Sequence, residues 1–167
     1  MFAVPLTENP FAILTAIVAP AVLTNACSVL ALGTSNRVAR VVDRTRAVTA
    51  ELGRAGEDAW VRQHLEHQLE VLRVRARLLV SALGLAYSAL GGFASSALIA
   101  VIGGALGYFG IAPGYHVAAV AGLIIGVVAV TALSVACTLM VRETRMAIAN
   151  LSEEAEIYSA VKRSHEK

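Results

Sequence analysis

Thr34-Ser35-Asn36-Arg37-Val38-Ala39-Arg40-Val41-Val42-Asp43-Arg44-Thr45-Arg46 is where an uncharged, apolar run gives way abruptly to arginine, and the reading of this junction decides the fold. On a helix turning 100° per residue, Arg37, Arg40 and Arg44 fall on one side with Val41 beside them, while Ala39, Val42 and Arg46 lie opposite. Arg40 and Arg44, four apart, repel each other. Asp43 is the single nearby carboxylate for four guanidiniums, so anionic lipid headgroups are the expected remaining partners. Two readings fit the stretch. One is a positive-inside anchor whose side chains snorkel to the headgroups. The other is a collar of Arg37, Arg40, Arg44 and Arg46 around the cytoplasmic mouth of an oligomer.

Working outward, composition agrees with a membrane junction. The chain has 167 residues, 57% of them apolar and 16% charged, with a mean hydropathy of +0.68, which leaves room for one domain and is too hydrophobic for a soluble one. A net charge of +2 argues against nucleic acid as a partner. Cys27 and Cys137 both sit in apolar runs, so packed thiols are expected rather than a disulfide. No Lys or Arg precedes Arg37, so the positive region that orients a signal peptide is missing, and Leu23-Thr-Asn-Ala-Cys27 is a poor lipoprotein signal with Asn25 two residues before the cysteine.

In chain order, residues 1–10 read as a short outer segment and 11–35 as a first span, with Pro20 inside it. Thr24, Ser28 and Ser35 lie on a small, mildly polar face of that span, and Asn25 points toward Leu14, Val18, Val29 and Leu32. Residues 36–77 read as a cytoplasmic helical hairpin turning at Gly53-Arg-Ala-Gly56, with Glu57 and Asp58 suited to the next helix start. The second arm repeats Val61, Leu65, Leu69, Leu72, Ala76 and Leu79 at the three- and four-residue steps of a coiled coil. Residues 78–111 form a second apolar segment, 34 residues without a charge, about 50 Å if helical and longer than a bilayer's hydrocarbon core. Its Gly84, Ser88, Gly92, Ser96, Ala100 and Gly104 make a small-residue register for close helix packing.

Residues 112–116, with Pro113-Gly114-Tyr115, are expected to form an outer turn. Residues 117–141 read as the third span, carrying Gly122 and Gly126 as a second small-residue pair, and 142–167 as a cytoplasmic tail with Met146, Leu151, Ile157 and Val161 as a weak apolar stripe. All fourteen Lys and Arg lie in 36–77 or after Val141. That one-sidedness predicts an all-α, three-span membrane protein, N-terminus outside and C-terminus cytoplasmic, and the small-residue faces predict that it packs as a homo-oligomer.

The combination of Ala19-Pro20-Ala-Val-Leu23 in an early span with Asn36-Arg37, Arg40, Asp43-Arg44 and Arg46, then a polar stretch and two closing spans, resembles the bacterial and cyanobacterial membrane proteins grouped as domain of unknown function 2721. The resemblance implies a three-span protein of the bacterial inner (plasma) membrane and carries over no catalytic or ligand residue.

His64, His67 and Glu70 have a spacing that can bind a metal, but a solvated face opposite the leucine seam explains the same letters, and no metal or other cofactor is expected. No Gly-x-Ser-x-Gly, Walker loop or His-Glu-x-x-His occurs, so an enzyme is not expected. None of the three spans holds an ionisable Asp, Glu, Lys, Arg or His, which argues against ion-coupled transport. Two function classes remain. One is a passive ion channel lined by Thr24, Asn25, Ser28 and Ser35 with an arginine-rich cytoplasmic mouth. The other is a non-conducting scaffold that docks a cytoplasmic protein through its hairpin.

Overall fold

A computed structural model describes the backbone of residues 10–54, 56, 59–110 and 112–165, and the side chains of that set from Val18 to Ala149 apart from Ala112. The expected outer segment before Pro10, the helix-start carboxylates Glu57 and Asp58, and the stripe side chains of Leu151, Ile157 and Val161 lie outside the described residues. The described chain is three helices: α1 (Pro10–Arg54), α2 (Ala59–Tyr108) and α3 (Ala112–His165). Each is long and apolar enough to cross a membrane, so the protein is a multi-pass membrane protein of all-α architecture. At 45, 50 and 54 residues each helix extends well beyond the roughly 20 residues a bilayer requires.

Pro10 opens α1, where its missing N–H would have had no intrahelical acceptor. The turn between α2 and α3 falls at Phe109–Gly110, ahead of Pro113-Gly114-Tyr115, which belong to the first turns of α3. The physical reason is that Gly110 takes the left-handed backbone (φ 74°) that ends a helix cheaply only in glycine, while Pro113 is preorganised for a helix start. The Gly110 N–H donates to the Gly107 carbonyl at 3.1 Å and the Phe109 N–H to Ala105 at 3.0 Å, using carbonyls that the helix end leaves open.

The chain divides into two compact units, each built from parts of all three helices: unit 1 (Met1–Gly33 and Leu83–Ala136) and unit 2 (Thr34–Ala82 and Cys137–Lys167). Their interiors are made differently. Unit 1 buries small residues, Cys27, Ala86, Ala89, Ala129 and Ala136, around one large side chain, Phe93. A Cβ added to Gly92 would sit 2.8 Å from that of Ala129, so α2 and α3 approach there closer than any side chain permits. Unit 2 buries large ones: Val41, Val48, Leu65, Leu72 and Leu79, with Val38, Leu52, Val61, Leu69 and Ala76 packed around them. Each fully buried leucine is worth about 2 kcal/mol if its alternative is water.

Buried positions recur every seven residues on every helix. On α1 they are Cys27, Thr34, Val41 and Val48; on α2, Leu65, Leu72, Leu79, Ala86 and Phe93; on α3, Ala129, Ala136 and Glu143. A seven-residue step keeps a stripe facing its neighbours along a coiled coil.

Candidate functional site

The α3 stripe ends in a carboxylate. Glu143 occupies the core position seven residues after Ala136 and is 2% exposed, with Thr34 the other buried polar residue among those described. A lone carboxylate so placed would be prohibitively costly, so its neighbours must be cationic. Both come from unit 2. Arg75 of α2, three residues past the buried Leu72, donates to Glu143 Oε1 from Nε at 3.0 Å and from Nη2 at 2.8 Å. Arg37 of α1, one turn before the buried Val41, donates from Nη1 to Glu143 Oε2 at 3.3 Å. The same Nη1 donates to Thr144 Oγ1 at 2.8 Å, and that hydroxyl in turn donates to the Met140 carbonyl at 2.9 Å. The Thr34 hydroxyl donates to the Met140 sulfur at 3.1 Å. One carboxylate thus joins three helices, with each oxygen assigned to a different arginine.

This corrects the partner expected for the arginine face. Among the described residues Asp43 meets only Arg46, at 3.8 Å on the exposed surface, and the carboxylate that serves Arg37 comes from α3. Arg40 and Arg44 line, with Arg37, Arg75 and Glu143, a cleft of about 400 Å³. Both are exposed, and among the described residues neither has an ion-pair partner. Glu143 goes unnoticed in the sequence because Arg142-Glu143-Thr144-Arg145 looks like solvated tail. Its signal is the seven-residue step from Ala129 and Ala136.

The candidate pore residues lie in unit 1, apart from Ser35. Thr24 is half-buried, Asn25 and Ser28 are exposed, and Ser35, in unit 2, is half-buried. The Ser28 hydroxyl donates to its own helix at the Thr24 carbonyl, 3.0 Å away. Asn25 has Val22, Val29 and Leu32 as its exposed neighbours on the same face, and among the described residues no hydrogen bond to its side chain is seen.

The packing residues divide. Gly92, Ser96, Gly122 and Gly126 meet within the chain: the Ser96 hydroxyl donates to the Gly122 carbonyl at 2.9 Å and touches the space where a Gly126 side chain would begin. Gly84, Ser88 and Gly104 are on the surface of the single chain, with open space around both glycines. A close approach that the small-residue register does not mark is Gly103 against Ala118.

On α2 the His64 ring stacks on Trp60 with centroids 5.8 Å apart and bonds Gln68 at 3.1 Å, while Glu70 pairs with Arg73 at 3.6 Å. Among the described residues no three His, Cys, Asp or Glu converge as metal ligands. The two cysteines form no disulfide, Cys27 being buried and Cys137 exposed.

Comparison with the curated proteins and with the solved structures finds no match. The family described as Protein of unknown function (DUF2721) matches residues 17–153, and with that match spanning most of its length the chain belongs to this family.

Proposed function

We propose that the protein is a homo-oligomer of a bacterial inner membrane, N-terminus outside and C-terminus cytoplasmic, acting as a passive ion channel with α1 on its axis and no enzymatic activity. Unit 1 sits in lipid. The unit 2 parts of the helices are cytoplasmic extensions, the first two forming a hairpin. The contrast between the two interiors supports this, because small residues pack helices where lipid removes the hydrophobic drive, whereas buried leucine stabilises where the alternative is water. The placement of every Lys and Arg in 36–77 or beyond Val141 supports the orientation.

The observation that carries the reading is Asn25. It stands in an exposed row, Val18, Val22, Asn25, Val29 and Leu32, whose steps of four and three are those of a helix-pairing seam. An amide bare to hydrocarbon costs several kcal/mol, so it is met by a second copy's Asn25 or by water on the axis, with Thr24 and Ser28 beside it. Arg40 and Arg44 then set the charge of the cytoplasmic mouth, and Arg46 with its neighbours anchors to anionic lipid.

A second reading, a non-conducting scaffold docking a cytoplasmic protein through the hairpin, is favoured by the hydroxyls. Ser28, Ser88, Thr131 and Ser134 each donate to their own helix and need no water. Planar-bilayer recording on the purified protein separates the two. Discrete conductance abolished by Thr24→Leu with Ser28→Leu supports the channel. A silent bilayer with an intact oligomer supports the scaffold, and a monomer that Asn25→Leu leaves unchanged sinks both.

A further inference from the structure

We propose that the unit 2 cleft is a binding site for a phosphate group, gripped by Arg40 and Arg44 with Arg37 and Arg75 behind them. Among the described residues, four guanidiniums from two helices line it against a single carboxylate, Glu143. That carboxylate is already spent: Oε1 takes two N–H groups of Arg75, and Oε2 takes Arg37. The acid nearest in sequence, Asp43, pairs with Arg46 and is not part of the cleft wall. Arg40 and Arg44 are therefore a like-charged pair four residues apart on one helix, an arrangement that opposes helix formation unless an anion joins them.

The chemistry of that anion follows from the count and the shape. Two uncompensated guanidiniums call for about two negative charges on one group, which a phosphomonoester carries at neutral pH and a carboxylate does not. Each guanidinium fork matches a pair of phosphate oxygens. Arg37 is held in place by Glu143 and Thr144, so it reaches a ligand with little ordering left to do. A cleft of about 400 Å³ with Leu72 and Ile148 on its wall holds more than a bare phosphate, and the phosphate's bearer is a lipid or a soluble molecule. This site depends on neither the channel reading nor the orientation.

The test is phosphorus-31 NMR of full-length protein in a phosphate-free mild detergent, titrated in one arm with inorganic phosphate and in the other with dihexanoyl phosphatidic acid. Saturable broadening is expected in at least one arm. Inorganic phosphate binding identifies a soluble source, and binding of phosphatidic acid alone identifies a headgroup. Arg40→Gln with Arg44→Gln, both at exposed positions, should weaken that binding about tenfold or more, since each lost charge-assisted pair is worth over 1 kcal/mol. The matched control, Arg62→Gln with Arg73→Gln, removes two charges outside the cleft and should leave affinity within about twofold. Arg44→Lys, which keeps the charge and loses the fork, should fall between them. Equal losses in the two double variants, or no saturable binding of either probe, would overturn the proposal.

Discussion

Arg75 holds Glu143 through two N–H groups on a single carboxylate oxygen, at 3.0 and 2.8 Å, while the other oxygen is left to Arg37. The two arginines are not equivalent, since the Arg75 side chain is 23% exposed and that of Arg37 39%. Arg75→Gln leaves a buried charge with only the longer, single bond from Arg37 among the described residues and should cost about 3 kcal/mol. Arg37→Gln should cost about 1 kcal/mol, as expected of a more exposed pair at 3.3 Å. Denaturant unfolding in mild detergent would show the difference, and adding Glu143→Gln to Arg75→Gln should recover part of the loss, giving a coupling above about 1 kcal/mol. Equal losses for the two arginines would contradict the geometry.

Gly92→Ala should destabilise by about 1 to 3 kcal/mol, because the new methyl lies 2.8 Å from Ala129 Cβ and the two helices must part to admit it. The compensating Ala129→Gly should restore a good share. Gly84→Ala, with open space around it, should be neutral or stabilise by up to about 1 kcal/mol through helix propensity. Thermal melts of the three variants decide it, and a Gly84 variant as damaged as the Gly92 one would place Gly84 in a contact with another copy.

Gly110→Ala should cost about 1 kcal/mol, the ordinary penalty for a side chain in left-handed backbone. Gly114→Ala, inside α3 and free of that backbone, should cost less. The same melts rank the pair, and a reversed order would move the turn back to Pro113-Gly114.

Topology is checked with single cysteines in a Cys27→Ser, Cys137→Ser background. Tyr108→Cys, 88% exposed beside the α2–α3 turn, should react with an impermeant thiol reagent added outside intact cells. Gly53→Cys, exposed at the end of α1, should react only after permeabilisation. The opposite pattern would invert the orientation.

Most of the helical architecture is legible because its signals are loud. Val61, Leu65, Leu69, Leu72, Ala76 and Leu79 announce a seven-residue seam through large apolar letters, and those residues form or border the unit 2 core. The grouping of Arg37, Arg40 and Arg44 on one face is equally plain, and all three line one cleft. Glu143 is illegible for the opposite reason. Its stripe runs through Ala129 and Ala136, and alanine carries almost no periodic contrast in a chain where most residues are apolar. Asp43 draws attention only because it is near in sequence, whereas the carboxylate that matters arrives from α3. The turn misleads similarly: Pro113-Gly114 is the stronger turn dipeptide, but proline tolerates a helix start and, among the described residues, it is Gly110 that adopts the left-handed backbone of the turn.

Synthesis proceeds from α1 to α3, so Arg37 and Arg75 leave the ribosome well before Glu143 does. Through that interval both are full positive charges, available to hold their segments on one side of a membrane. When Glu143 follows, it meets both and closes the cluster. In the proposed topology the same two guanidiniums would serve as orienting signals in the growing chain, and in the finished one they are structural fasteners, the late carboxylate marking the passage from the first role to the second.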